Sequence, residues 1–201
     1  MMAEGRILYF FKGAYDNPAA RLFLLRLTVI FGLVLADQIS KWAVFEKLLR
    51  HQGEAAGFFD WLTTARSFLS YEAARGQFQD IFLLPFLNFV MVWNTGVSFG
   101  LFSSSATIIL ILLALVIAAV LLVWLYRTQD HRRQAAALML LTSGALGNVL
   151  DRLRFGAVAD FIDVHAFGWH WPAFNVADSL VVVGAGLLIL DSFLKDKEKK
   201  K

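Results

Sequence analysis

Four long apolar stretches divide the chain, at roughly residues 22 to 45, 104 to 126, 135 to 152 and 175 to 194. A helix that spans a bilayer needs about 20 mostly apolar residues, so each stretch predicts a transmembrane helix. The second, "ATIILILLALVIAAVLLVWLY", holds one Thr and no charge. The other three carry ionisable residues, each of which costs at least about 2.5 kcal/mol at a helix centre and so calls for a purpose. Residues 46 to 103, between the first two stretches, mix Phe58, Phe59, Trp61, Phe68, Tyr71, Phe78, Phe82 and Phe86 with charges. That mixture predicts a layer resting in the headgroup region. Its end, "LPFLNFVMVWNTGVSFGLF", is rich in β-formers before a Gly-containing turn and predicts short strands.

Composition sharpens this picture. Of 201 residues, 58% are hydrophobic and 17% charged, against about a quarter charged in a soluble domain. The pattern predicts a single integral membrane domain over residues 1–201. The net charge of +3 comes from basic residues at the termini and between apolar runs, which fits a positive-inside topology and not a nucleic-acid partner. With no cysteine, disulfides, thiolate metal sites and cysteine nucleophiles are excluded. The first apolar run is too long for the core of a cleavable leader and is expected to stay as an anchor.

Arg6, Lys12 and Arg21 precede the first stretch, Arg127, Arg132 and Arg133 separate the second and third, and five lysines from Lys195 to Lys201 end the chain. These segments share one side of a four-helix topology, so both termini are expected to be cytoplasmic. Residues 46–103 and 153–174 then face the extracytoplasmic side.

At about 1.5 Å of rise per helical residue, the polar residues of three predicted helices fall at one depth near the outer surface. Asp37, Gln38 and Lys41 end the first helix, with Asp37 and Lys41 on one face. Asn148, Asp151 and Arg152 end the third, after the small residues Ser143, Gly144, Ala145 and Gly147 that permit close helix packing. Asn175 and Asp178 begin the fourth, and Asp160 and Asp163 lie in the short loop before it.

The chemistry open to such a cluster is narrow. His51, His131, His165 and His170 lie outside the apolar stretches and no H-E-x-x-H occurs, so zinc hydrolysis is a poor candidate. G-x-S-x-G occurs once, as "GVSFG" at 96 to 100, but with every histidine outside the apolar stretches a serine triad is a poor candidate too. Two carboxylates held close share a proton, which leaves one as base and one as acid and activates water for attack on an amide. The helix start favours ionised Asp178, and the apolar neighbours of Asp160 favour its protonated form. A coupled pair titrates as a unit, so the division of roles stays open. Two other classes fit parts of the pattern: a proton-coupled transporter, since intramembrane charges mark ion paths, and a structural four-helix scaffold glued by polar contacts.

"ADQISK" (36 to 41), "WNTGVSFGLF" (93 to 102), "SGALGNVLDR" (143 to 152), "VADFID" (158 to 163) and "FNVADS" (174 to 179) resemble the successive motif blocks of bacterial lipoprotein signal peptidase, the type II signal peptidase. The resemblance covers nearly the whole chain, in order. It implies an aspartyl endopeptidase of the inner membrane that cuts prolipoproteins before a diacylglyceryl-modified cysteine, with Asp160 and Asp178 as the catalytic pair and no cofactor or metal. Asp37, Lys41, Asn94, Gly96, Asn148, Asp151, Arg152 and Asn175 take the family's supporting positions. The implied fold is an all-α polytopic membrane protein: four transmembrane helices, a small extracytoplasmic β-cradle from the N-x-G region and an outer amphipathic helix or loop. The implied partners are lipidated prolipoproteins, membrane lipids and globomycin-type inhibitors. One departure stands out: the stretch from about His51 to Asp80 is longer than the family pattern leads one to expect.

Overall fold

The computed structural model describes residues 17–64, 66–96 and 104–199. Arg6, Lys12, the second half of the N-x-G block (97–102) and the last two lysines lie outside the described residues.

Each apolar stretch becomes a helix longer than expected. Helix α1 runs Pro18–Trp42 and continues as a π-helical segment, Ala43–Leu49. Asn17 caps its start, its side chain accepting from the Ala19 N–H at 2.9 Å, with Pro18 in the first position where its missing N–H costs nothing. After two short helices, α2 (Phe58–Thr63) and α3 (Phe68–Ala73), and two strands, the long helices resume as α4 (Ser104–Arg127), α5 (Arg132–Phe155) and α6 (Val176–Lys199). Segments Pro18–Leu49, Thr107–Arg127 and Val176–Lys195 are long and apolar enough to cross a membrane. Helix α5 has the length but also Arg132, Arg133, Asp151, Arg152 and Arg154.

Contacts at the two ends show how the long helices alternate. At one end, Arg26 of α1 donates to the carbonyl oxygens of Leu125 (2.9 Å) and Thr128 at the close of α4. Ile30, Leu125, Ala135 and Leu138 form a small core there, and Arg133 at the start of α5 meets Asp191 near the close of α6 at 3.5 Å. At the other end, the close of α1 and of α5 meets the start of α6. Long helices consecutive in the chain are therefore antiparallel, and α1 and α5 run parallel to each other.

An antiparallel sheet in the order β1-β2-β3-β4 sits at this second end. Strands β1 (Ile81–Leu84) and β2 (Leu87–Asn94) answer the expectation of short strands before the N-x-G turn. Strands β3 (Val158–Ala166) and β4 (Trp169–His170) correct the expectation of a plain loop before the fourth long helix. Half of the sheet thus comes from outside the N-x-G region. Strand β3 pairs with β2 through Val92↔Asp160, Trp93↔Ala159 and Asn94↔Val158.

The largest core lies behind this sheet. Phe45, Leu49, Trp61, Tyr71, Met91, Phe155, Ala159 and Phe161 are buried together, with Trp93 edge-on to Phe45 at 5.3 Å and tilted against Tyr71 at 5.2 Å. Ring pairs of this kind add about 0.5–1.5 kcal/mol each beyond their burial. The residues from His51 to Asp80 supply much of it: Trp61 from α2, Tyr71 from α3, and Phe78, whose backbone bridges Arg50. The expected layer resting on the membrane is therefore, on its inner face, a wall of the sheet's own core.

Candidate active site

The site forms where three helices and one strand meet. Helix α1 brings Asp37, Gln38 and Lys41 to its last turns, all three buried. Lys41 Nζ stands 2.7 Å from Asp37 Oδ2 and 2.7 Å from Asp151 Oδ2. Gln38 Nε2 donates to Asp151 Oδ1 at 2.8 Å and to Asp37 Oδ2 at 3.1 Å. One ammonium and one amide thus stitch two buried carboxylates from different helices.

The free lone pairs of those carboxylates reach further. Asp37 Oδ1 accepts from the backbone N–H of Ala177 at 2.9 Å, and Asp151 Oδ2 from that of Ala159 at 3.1 Å. Ala177 precedes Asp178 and Ala159 precedes Asp160, so the cluster holds the backbone just before both aspartates. Close approach requires small residues on α5. A Cβ at Gly147 would stand 2.8 Å from Asp37 Oδ2 and 3.1 Å from Ala177 Cβ, and one at Gly144 would meet the Ala177 carbonyl oxygen.

Asn175 joins the two aspartates directly. Its Nδ2 donates to Asp160 Oδ1 at 2.7 Å and to Asn148 Oδ1 at 3.2 Å, while its backbone N–H donates to Asp178 Oδ2 at 3.1 Å. Its own Oδ1 accepts from the Asp178 N–H at 2.9 Å. Asn148 Nδ2 completes the shell with a 2.8 Å bond to Asp178 Oδ1. The bridge Ile162↔Phe174 draws the chain before α6 against β3 and so brings Asn175 to Asp160.

The two carboxylates sit in unlike surroundings. Asp160 is 1% exposed; burial first, and then the negative charge of Asp178, push its carboxyl up to about 7, against hydrogen bonds from Asn94 and Asn175. Asp178 stands in the first turn of α6 and accepts from the two N–H donors above.

The N-x-G turn faces the same place. Asn94 Oδ1 accepts from the Gly96 N–H at 2.8 Å. Gly96 has φ +79, where L side chains are strained, and a Cβ there would stand 2.6 Å from Leu110 Cδ1. Arg152 Nη2 lies 3.6 Å from that same position, and its charge acts on Asp151, Asp178 and Asp160. Asp151 is paired with Lys41 and not with its chain neighbour Arg152, which turns to the Asn148 carbonyl at 3.4 Å. Consecutive residues on a helix do not face each other, which is the physical reason.

Every residue expected from the motif blocks therefore lies in or beside one cluster, but Asp163 does not join the pair. It accepts from Asn88 Nδ2 at 2.9 Å and lies 2.8 Å from His170 Nδ1. Burial acts upward on its carboxyl, but the hydrogen bonds from His170 and Asn88 outweigh it and hold Asp163 below the usual range. Among the described residues, no group of three His, Asp or Glu side chains is arranged to hold a metal ion. The bridging part of Gln38 and the contacts of Arg154 were missed in the sequence. Both residues stand among the polar side chains at those helix ends, the one signal available for them.

Beside Asp178 opens a cavity of about 450 Å³ with an apolar wall: Trp171, Phe174, Ser179, Val182 and Val183 line it.

Comparison with known proteins agrees with this architecture. The family model described as signal peptidase (SPase) II matches residues 29–194. The lipoprotein signal peptidase of Polynucleobacter necessarius subsp. necessarius (strain STIR1) is 36% identical over 172 residues, covering 84% of this chain and 89% of that protein. That of Burkholderia mallei (strain SAVP1) is 46% identical over 112 residues, or 54% of this chain and 68% of that one. A bacterial membrane enzyme solved by the in meso method at 2.3 Å resolution superposes with a TM-score of 0.61 at 27% identity, covering 88% of this chain and 92% of its own. The chain belongs to the signal peptidase II family and is a membrane peptidase of the aspartic type.

Proposed function

We propose that this member of the signal peptidase II family removes signal peptides from prolipoproteins, cutting N-terminal to the diacylglyceryl-modified cysteine, with Asp160 and Asp178 as the catalytic pair. The observation that carries the reading is Asn175, which bonds one carboxylate through its side chain and the other through its backbone N–H.

In the proposed reaction a water molecule lies between the carboxyl groups. Ionised Asp178 takes its proton as the water oxygen attacks the scissile carbonyl carbon, while protonated Asp160 donates a hydrogen bond to the carbonyl oxygen and polarises it. The tetrahedral intermediate then collapses: the C–N bond breaks, the cysteine nitrogen takes up a proton from the pair, and the signal peptide leaves with a new carboxylate. The donors to Asp178 and the burial of Asp160 support this division of labour.

Helix α5 is proposed to cross the membrane with the other three, its arginines at the ends and its carboxylate neutralised by Lys41. Both termini then lie in the cytoplasm of a bacterium and the aspartates near the outer face of its inner membrane, in keeping with the distribution of Lys and Arg. The cavity beside Asp178 presents an apolar wall to the signal segment, with the acyl chains left in lipid. A globomycin-type inhibitor is expected to compete for the same place.

The test is cleavage of a lipidated and an unlipidated precursor by the purified protein, with and without globomycin. Cleavage of the lipidated precursor alone, blocked by globomycin, is the expected result. Equal cleavage of both would sink the substrate assignment.

A further inference from the structure

The stretch from His51 to Asp80 is built against the rear of the site. Trp61 is fully buried, its ring 5.5 Å from that of Phe155, in the core that also takes in Ala159 and Phe161 on either side of Asp160. The Arg154 side chain connects this wall to the ion cluster. The Arg154 guanidinium lies over the Trp61 ring at 4.2 Å and the Phe155 ring at 4.4 Å. It donates through Nη2 to the Trp61 carbonyl oxygen and through Nη1 to Gln38 Oε1 at 2.8 Å.

The consequence lies in the two unlike ends of an amide. Gln38 serves the cluster by donating from Nε2 to Asp151 and Asp37. Reversed, it would turn an acceptor oxygen on two carboxylates. A cation at Oε1 selects the useful orientation, because Arg can only donate. We propose that Arg154 is a positioning residue of the peptidase: braced on Trp61 of the segment from His51 to Asp80, it sets the orientation of Gln38 and, through Asp151 and Asp37, the backbone N–H contacts that precede Asp160 and Asp178. This rests on the reading of those two aspartates as the catalytic pair. The segment from His51 to Asp80 is on this account a brace for the active site.

The test uses the full-length protein in detergent micelles, a diacylglyceryl-modified precursor peptide, and rates normalised to folded protein. Displacements of about 1 Å cost up to about a hundredfold in rate, so R154M and Q38L are each expected to lower kcat by about tenfold to a hundredfold with KM changed less than about twofold. Because the two act in series, the double variant loses no more than the worse single one. R154K keeps the charge but cannot serve both acceptors, and is expected to lose several-fold in kcat. Should R154M not fold, R154K and Q38L form the same cycle. Full kcat in folded R154M or R154K, or losses that multiply, overturns the proposal. D160N is run alongside: if it turns over substrate, the assignment of the pair has failed, whereas series coupling of Arg154 and Gln38 is read independently of it.

Discussion

Lys41 of α1 and Asp151 of α5 form an ion pair of 2.7 Å in which both side chains are fully buried. Asp37 takes a second contact from the same ammonium, also at 2.7 Å. One positive charge among two carboxylates is tolerable in a dry site only because hydrogen bonds from Gln38, Ala159 and Ala177 satisfy the remaining oxygens.

Lys41→Met is therefore expected to destabilise by about 3–5 kcal/mol, since it leaves two buried carboxylates without a cation. Thermal unfolding in detergent measures it. A variant as stable and as active as the parent would show that the pairing has no purpose.

Asp160→Asn and Asp178→Asn are each expected to lower the cleavage rate of a lipidated precursor by at least about 10²–10⁴, the usual worth of a positioned acid or base. Both amides keep the shape of the carboxyl, so folded protein is expected in detergent, with the Asp178 variant the less stable because its amide nitrogen would face an N–H donor. Turnover close to the parent in either variant would remove that residue from the mechanism.

Acidity offers a further check. With Asp160 pushed up to about 7, kcat/KM is expected on the proposed mechanism to decline as pH rises through that value, because the acid assigned to polarise the carbonyl is lost. Stability has the same sign. The raised carboxyl favours the fold while protonated, so stability is full below its unfolded value of about 4 and falls as pH rises towards 7. In Asp160→Asn that decline should be reduced, read as melting temperature against pH.

Gly147→Ala places a methyl 2.8 Å from Asp37 Oδ2. Overpacking of this kind costs about 1–3 kcal/mol, and here the displaced carboxylate is the one that holds the Ala177 N–H. The expected outcome is a lower melting temperature together with a lower kcat. A fall in stability with full activity would separate Asp37 from the site.

The long helices were legible because each departs from apolarity only near its ends, and the charges that do so are the ones that meet. Asp37, Lys41, Asn148, Asp151, Asn175 and Asp178 could be grouped from depth alone, with Asp160 beside them. Strand β3 could not be read, since Val158–Ile162 is buried or nearly so throughout and shows no polar alternation that marks a half-exposed strand. The partner of Asp151 was not legible either, because Lys41 is 110 positions away in the chain. Arg154 was illegible because the carbonyl it meets belongs to Trp61, on a segment whose fold depends on the sheet it supports.

Strand β3 gives its two sides to different tasks, Asp160 turning towards Asn175 while Ala159 and Phe161 pack behind. A slip of one residue against β2 would exchange those sides, placing a carboxylate among indole and phenyl rings and an aromatic ring among amides. The pairing is irregular between Phe89 and Val92, directly before the Val92↔Asp160 pair, and such an irregularity blocks sliding. On the proposed mechanism, correct alignment is thus a condition of hydrolysis as well as of folding. A misaligned molecule would remain compact and membrane-bound yet inert, so an activity assay on freshly refolded protein counts aligned strands.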